Sequence, residues 1–133
     1  MDKAIVYLAV GIGSALGGMG RLWIAGLVGQ RYGETFPWGT ILVNVTGSFA
    51  IGVLSAFTAT DGRLQPKLSP IAAQFLMAGI CGGYTTFSAF SLQTLKLLQA
   101  GSLSQAGANI ALSVIACIAA TGIGYLAGQV FNP

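Results

Sequence analysis

The chain has 133 residues, the length of a single domain, with six basic side chains, three acidic ones and no histidine. Charged residues make up 7% of it and hydrophobic residues 54%, whereas soluble domains are typically about 25% charged. So few charges could not cover the surface of a water-soluble globule. The composition therefore excludes a soluble enzyme and a disordered chain. A nucleic-acid-binding protein is also excluded, because a scattered net charge of +3 is too small for a basic patch.

Four long uncharged segments predict four membrane-spanning helices. A spanning helix needs about 20 mainly apolar residues, and the charged side chains divide the chain into stretches of that length. We predict helices over residues 4–28, 36–60, 68–95 and 106–130 of one domain, residues 1–133. Since polar and apolar residues do not alternate along these stretches, they do not fit a membrane β-barrel. The fold class is an all-α membrane protein.

The basic residues give little bias towards either side of the membrane. One side would hold Lys3, Arg63 and Lys67, and the other Arg31 and Lys96, with Arg21 near this second side. Lys and Arg near helix ends normally mark the cytoplasmic side. A tally of three against two or three fits insertion in both orientations, although a weak bias could also fix a single topology.

Polar side chains recur at steps of four on the second and fourth predicted helices and would form two stripes. The members are Thr40, Asn44 and Ser48 on the second helix, where Ser55 also stays on the stripe seven residues further on, and Asn109, Ser113, Cys117 and Thr121 on the fourth. Polar side chains inside a membrane face protein or water, so each stripe would either bond helices together or line a path. Asn44 favours a path, because its amide has two donors and an acceptor oxygen to satisfy.

The third predicted helix carries poor helix formers at its midpoint. Two glycines, Gly82-Gly83, are closely followed by two β-branched threonines. We predict a break near residues 82–86, the alternative being an intact helix with a glycine packing notch. Broken membrane helices expose carbonyl and N–H groups that bind ions. Beyond the break, Phe87 and Phe90 share a face, and their electropositive ring edges could line the path of a small anion.

Three motifs follow one another over nearly the whole chain. They are Gly17-Gly18-x-x-Arg21, Gly39-Thr40-x-x-Val43-Asn44-x-x-Gly47-Ser48-Phe49-x-x-Gly52, and Gly79-x-x-Gly82-Gly83-x-Thr85-Thr86-Phe87-Ser88-x-Phe90. Combined with four short spans, this set resembles the Fluc/CrcB family of fluoride channels. The resemblance implies a passive, fluoride-selective channel that exports cytoplasmic fluoride for fluoride resistance, in a prokaryotic plasma (inner) membrane. It also implies an antiparallel, dual-topology homodimer with two pores, which agrees with the weak charge bias.

Particular residues acquire roles from this resemblance. Those expected at the fluoride pore are Asn44, Phe87, Phe90, the hydroxyl track of Thr86, Ser88 and Ser91, and Ser113 on the fourth helix, with Arg21 in the vestibule. The resemblance also implies a structural Na⁺ on the two-fold axis, held by the backbone carbonyls of Gly82 and Thr85. The chain departs from some relatives at Ala89, where they carry Thr, and at Gln93, where they carry Glu.

Other functions fit the residues less well. A proton-coupled four-helix exporter of the multidrug type needs a carboxylate within the membrane, whereas Asp2, Glu34 and Asp61 lie at loops or the terminus. A purely structural membrane subunit would not need Asn44 or the predicted break. With no histidine and no buried acid, we find no catalytic constellation and do not expect an enzyme.

Overall fold

The computed structural model describes residues 2–59 and 66–132. In this part of the chain, four helices are long and apolar enough to cross a membrane: Lys3–Tyr32, Trp38–Thr58, Pro70–Gln99 and Leu103–Phe131. The shortest has 21 residues, about 32 Å at ~1.5 Å per residue, against a hydrocarbon core of ~30 Å. The predicted all-helical, four-span membrane architecture is confirmed. Asp61 and Arg63, which entered the charge arguments, lie outside the described residues.

The residues at both ends of the first span explain where that helix begins and ends. Helix α1 (Lys3–Tyr32) begins after Asp2, whose carboxylate accepts from the Ala4 N–H at 3.0 Å, as an N-cap does. It ends at Gly33, where φ is +79°, a conformation that glycine adopts without strain. Helix α2 (Trp38–Thr58) follows Pro37. Both helices contain most of their predicted ranges.

The third span consists of several segments. They are α3 (Pro70–Ala73), a π-helical stretch Gln74–Cys81, α4 (Gly82–Tyr84) and α5 (Phe87–Gln99). Between α4 and α5, Thr85 (φ −81°, ψ 157°) and Thr86 (φ −150°, ψ 117°) have extended dihedral angles. Gly82 has helical angles (φ −64°, ψ −39°) and α4 includes Gly83, so within the predicted range of residues 82–86 the extended residues are the two threonines and not the two glycines.

The turn between the third and fourth spans is shorter than the sequence predicts. Gly101 has φ +78°, its N–H donates to the Leu98 carbonyl at 3.0 Å, and the Ser102 N–H donates to the Leu97 carbonyl at 2.9 Å. These two bonds form a Schellman motif, which closes the end of α5 in one turn. Helix α6 (Leu103–Phe131) therefore begins at Leu103, three residues before the approximate start at residue 106 that the sequence indicates.

Glycines set the distance between α1 and the third span. A Cβ added at Gly13 would lie 2.6 Å from the Phe75 carbonyl oxygen, and one at Gly83 would lie 2.7 Å from the Cα of Ser14. Such separations leave no room for a side chain, so the two backbones pack directly against each other. Gly83 thus serves helix packing, which explains its position inside a regular helical segment.

A second close pair joins α2 to α6. A Cβ added at Gly52 would lie 3.0 Å from the Tyr125 nitrogen, and one at Gly124 would lie 3.2 Å from the Val53 nitrogen. Residues that come later in α2 contact residues that come later in α6, so the two helices run parallel. The α1–third-span pair is also parallel, and α1 crosses antiparallel to α2 at Gly39.

Candidate functional site

A cavity of about 360 Å³ lies where α2, the third span and α6 meet. Its lining residues are Asn44, Gly47, Ser48 and Ile51 from α2, Cys81, Gly82, Thr85, Thr86, Phe87 and Phe90 from the third span, and Ser113, Val114, Cys117 and Ile118 from α6. The cavity therefore brings together residues from both polar stripes and from the threonine–phenylalanine motif.

The side chain of Asn44 makes two hydrogen bonds to the backbone of Thr86. Asn44 Oδ1 accepts from the Thr86 N–H at 2.7 Å, and Asn44 Nδ2 donates to the Thr86 carbonyl at 3.0 Å. In a continuous helix the Thr86 N–H would instead donate to the carbonyl four residues earlier, that of Gly82. The Asn44 Oδ1 thus replaces the helical acceptor of the Thr86 N–H, and Asn44 Nδ2 adds a donor to the Thr86 carbonyl, at the position where the third span is extended.

Among the carbonyls that lack their helical donors at this interruption are those of Gly82 and Thr85. The Thr86 N–H is turned away from Gly82 towards Asn44, and the Ala89 N–H, which would bond to Thr85 in a continuous helix, donates to Thr86 Oγ1 at 3.1 Å. Throughout the described ranges, no cluster of three or more His, Cys, Asp or Glu side chains could hold a metal ion. The carbonyls of Gly82 and Thr85, the two that the resemblance assigns to a cation, are thus free of helical hydrogen bonds in this region.

Phe87 and Phe90 line one wall of the cavity as a tilted pair. Their ring centroids lie 5.3 Å apart and their planes make an angle of 54°, which is within the usual range for interacting aromatic rings. Phe87 is 77% exposed in the single chain, so one side of this wall is open. The expectation that both rings lie on one face beyond the extended residues is confirmed.

Most hydroxyl groups near the cavity already have an acceptor within the protein. Thr85 Oγ1 donates to the Cys81 carbonyl at 2.9 Å, Ser91 Oγ to the Phe87 carbonyl at 3.0 Å, and Ser113 Oγ to Asn109 Oδ1 at 3.2 Å. Thr86 Oγ1 and Ser88 Oγ lie 3.2 Å apart and share one hydrogen bond. Ser88 and Ser91 lie beside the cavity and are not part of its lining.

Asn109 anchors a buried network that connects α6 to α5. Its side chain is 1% exposed, and its Nδ2 donates to Thr94 Oγ1 at 2.9 Å. Thr94 Oγ1 in turn donates to the Phe90 carbonyl at 2.8 Å. Of the two roles that the sequence allows for this polar stripe, Asn109 has the one that bonds helices together; its partner could not be predicted, because Thr94 belongs to no motif.

Charged side chains stay away from the cavity. Arg21 lies half-buried on α1 and does not contribute to the lining. Asp2 caps α1 and Glu34 lies in the connection to α2, so neither carboxylate is inside a span. Among the described residues, the cavity lining contains no ionised side chain, and the polar groups within it are amide, hydroxyl, thiol and backbone groups.

Residues 8–125 match the family described as "CrcB-like protein, Camphor Resistance (CrcB)". The chain belongs to the CrcB family. A protein of Methylocella silvestris named "Fluoride-specific ion channel FluC" is 49% identical over 95% of this chain and 95% of its own length. Proteins with the same name from Opitutus terrae (47% identical, 96% of this chain and 95% of theirs) and Rhodospirillum rubrum (44%, 96% and 98%) are also similar. The resemblance that the sequence motifs indicate is confirmed.

The paired hydrogen bonds of Asn44 predict a stability effect in this CrcB-family chain. In Asn44→Leu the N–H of the largely buried Thr86 loses its only acceptor and the Thr86 carbonyl loses one of its donors, so we expect the free energy of unfolding in detergent to fall by about 1–3 kcal/mol. Denaturant titration followed by circular dichroism measures it. Thr58→Val, which removes a bond within one helix near its end, serves as the control and should change it by less than about 0.5 kcal/mol. Equal stability of Asn44→Leu and wild type would contradict the interpretation that the two hydrogen bonds between Asn44 and Thr86 stabilise the fold.

Proposed function

We propose that this CrcB-family chain is a fluoride-selective ion channel. The observation that carries the proposal is the cavity, in which an amide, hydroxyl groups and two phenylalanine rings from three membrane spans meet without an ionised side chain among the described lining residues. Relatives that are 44–49% identical over nearly the full chain carry the name of a fluoride-specific ion channel. These names support fluoride as the ion that occupies the cavity.

A dehydrated fluoride needs donors in place of its water. Asn44 Nδ2 keeps one N–H beyond the bond to Thr86, and the ring edges of Phe87 and Phe90 supply weaker positive electrostatic potential. In this proposal Asn44, Phe87, Phe90, Thr86 and Ser113 line the pore. Ser88 and Ser91 extend the hydroxyl track from it, and Arg21 attracts anions in the vestibule.

Transport in this account is passive. Neutral hydrogen fluoride crosses lipid and dissociates in a less acidic cytoplasm, and a negative membrane potential then drives the anion outward with about 2.3 kcal/mol per charge per 100 mV. A channel in a prokaryotic plasma membrane therefore suffices for export and fluoride resistance, and it converts no substrate chemically. Proton coupling would need a titratable group in the path, and the described lining offers no carboxylate.

The working unit in this proposal is an antiparallel homodimer with two pores. Phe87 is 77% exposed in the single chain, and Gly82, Ser88 and Ser91 are also exposed, although all four lie within a membrane span. Hydroxyl groups and a pore wall at that depth need a protein cover. A second copy supplies the cover, and the weak charge bias allows it to insert in the opposite orientation.

The same dimer would hold a structural Na⁺ on its two-fold axis. The extended residues lie at the middle of the third span, so in an antiparallel dimer the two copies reach the same depth. The carbonyls of Gly82 and Thr85, which lack their helical donors, fit a hard monovalent cation, because such ions prefer oxygen ligands. The ion would offset the repulsion between facing carbonyl dipoles.

Efflux from liposomes that contain only this protein tests the channel function. We expect fast fluoride release that follows the membrane potential and is unchanged when a pH gradient is imposed. A fluoride electrode records the release, and the same vesicles loaded with chloride are the control. Equal chloride release, or a strict requirement for a proton gradient, would contradict the proposal.

The antiparallel arrangement predicts complementation between two neutralised variants. Arg31→Gln with Lys96→Gln removes positive charge from one side, and Lys3→Gln with Lys67→Gln removes it from the other. Each double variant should insert in one orientation and conduct poorly alone, whereas co-expression should restore fluoride resistance in cells. Accessibility of engineered termini verifies the orientations. Full activity from one variant in a single verified orientation would exclude the dual-topology dimer.

The cation site predicts that dimer stability depends on Na⁺. Protein purified throughout in N-methylglucamine should show a lower thermal midpoint and more monomer than protein in Na⁺, because the facing carbonyls lack a counter-charge. Light scattering and thermal unfolding measure this independently of transport. Fluoride current should carry no Na⁺ tracer. Identical dimer stability in both cations would rule out the site.

A further inference from the structure

Ser48 has a hydroxyl group that the protein does not use. Its side chain is half-buried and lines the cavity, yet within residues 2–59 and 66–132 its Oγ makes no hydrogen bond. A serine hydroxyl carries one donor and two acceptor positions. Serines within helices commonly donate to the carbonyl four residues earlier, but this one does not, so its proton is available to an occupant of the cavity.

The other hydroxyl groups at the cavity differ from Ser48 in this respect. Thr85 donates to the Cys81 carbonyl and Ser113 donates to Asn109, while Thr86 and Ser88 bond to each other. Ser113, the hydroxyl predicted for the α6 side of the pore, consequently presents lone pairs to the cavity while its proton stays on Asn109. Lone pairs repel an anion, whereas an uncommitted O–H attracts one.

Ser48 also stands in register with the amide that the proposed function uses. It follows Asn44 by four residues on α2, one helical turn further and about 6 Å along the axis. Residues at this spacing lie on the same face, and both line the cavity. The spare N–H of Asn44 and the O–H of Ser48 therefore form two successive donors along one wall.

We propose that Ser48 is a further anion ligand of the cavity. Fluoride passes from Asn44 to Ser48, whose hydroxyl group donates a hydrogen bond to the ion. This inference rests on the proposed fluoride conduction and adds a residue to it. The interaction between a charge and a donor weakens with distance, so a small anion gains more from the hydroxyl than a large one does. Ser48 thereby contributes to the preference for fluoride over chloride as well as to the rate.

Substitution of Ser48 tests the ligand role in the full-length protein in liposomes. Ser48→Ala should lower fluoride efflux at least fivefold and reduce the fluoride-to-chloride efflux ratio, while the thermal midpoint stays unchanged. The matched control is Ser55→Ala, two turns further along α2 and outside the cavity lining, which should stay within twofold of wild type. Wild-type efflux and ratio in Ser48→Ala would overturn the proposal.

Two isosteric variants separate the hydroxyl from the packing. Ser48→Thr keeps the O–H and Ser48→Val replaces it with a methyl group of similar shape, so any effect of size is the same in both. We expect the Thr variant to conduct at least fivefold faster than the Val variant, and equal efflux would overturn the ligand role. If wild-type protein itself releases no fluoride, the proposed channel function fails; if wild type conducts and the Thr and Val variants are equal, only the role of Ser48 fails.

Discussion

Two hydrogen bonds between the Asn44 side chain and the Thr86 backbone hold the centre of this protein in its observed form. Inside a bilayer each backbone N–H and C=O needs a partner, and an extended residue in a membrane span loses those that a helix provides. Asn44 Oδ1 accepts from the Thr86 N–H at 2.7 Å, the group that has lost its helical partner, and Asn44 Nδ2 also donates to the Thr86 carbonyl at 3.0 Å. An amide is the side chain suited to this task, because it accepts and donates from adjacent atoms.

This pair of hydrogen bonds, here called the Asn44–Thr86 clamp, is possible because glycines bring the spans close together. At Gly13 and Gly83 the backbones of α1 and the third span leave no room for a Cβ, and α2 and α6 pack in the same way at Gly52 and Gly124. The two tight pairs position α2 beside the extended residues, within reach of a side chain as short as asparagine. The close helix packing, the bonds of Asn44 to Thr86 and the cavity therefore depend on one another. The small residues on the helices determine where the polar groups meet.

Composition and periodicity predict much of this fold, because the cost of burying charge in lipid divides the chain into four spans. The predicted residues Asn44, Phe87, Phe90 and Ser113 all line one cavity. Propensity alone does not show which residues of the predicted range 82–86 are extended. Gly83 is helical and packs against Ser14 of α1, while Thr85 and Thr86 are extended where Asn44 binds Thr86. The direction in which a hydroxyl donates is also invisible in a sequence. Ser48 and Ser113 belong to similar stripes, yet only the three-dimensional partners show that Ser113 donates to Asn109.

Hydrogen exchange at the Thr86 amide tests most directly whether Asn44 replaces the helical bond. In wild-type protein in nanodiscs, NMR should find the Thr86 N–H protected although it lies outside any helix, as a hydrogen-bonded amide is. In Asn44→Leu its exchange should accelerate by about tenfold or more, the change that ~1.4 kcal/mol produces. The neighbouring Thr85 N–H, which donates to the Cys81 carbonyl at 3.0 Å, should keep its protection and serve as the internal reference. Equal protection of Thr86 in both proteins would contradict the account, because the break and the cavity would then be held by something other than Asn44.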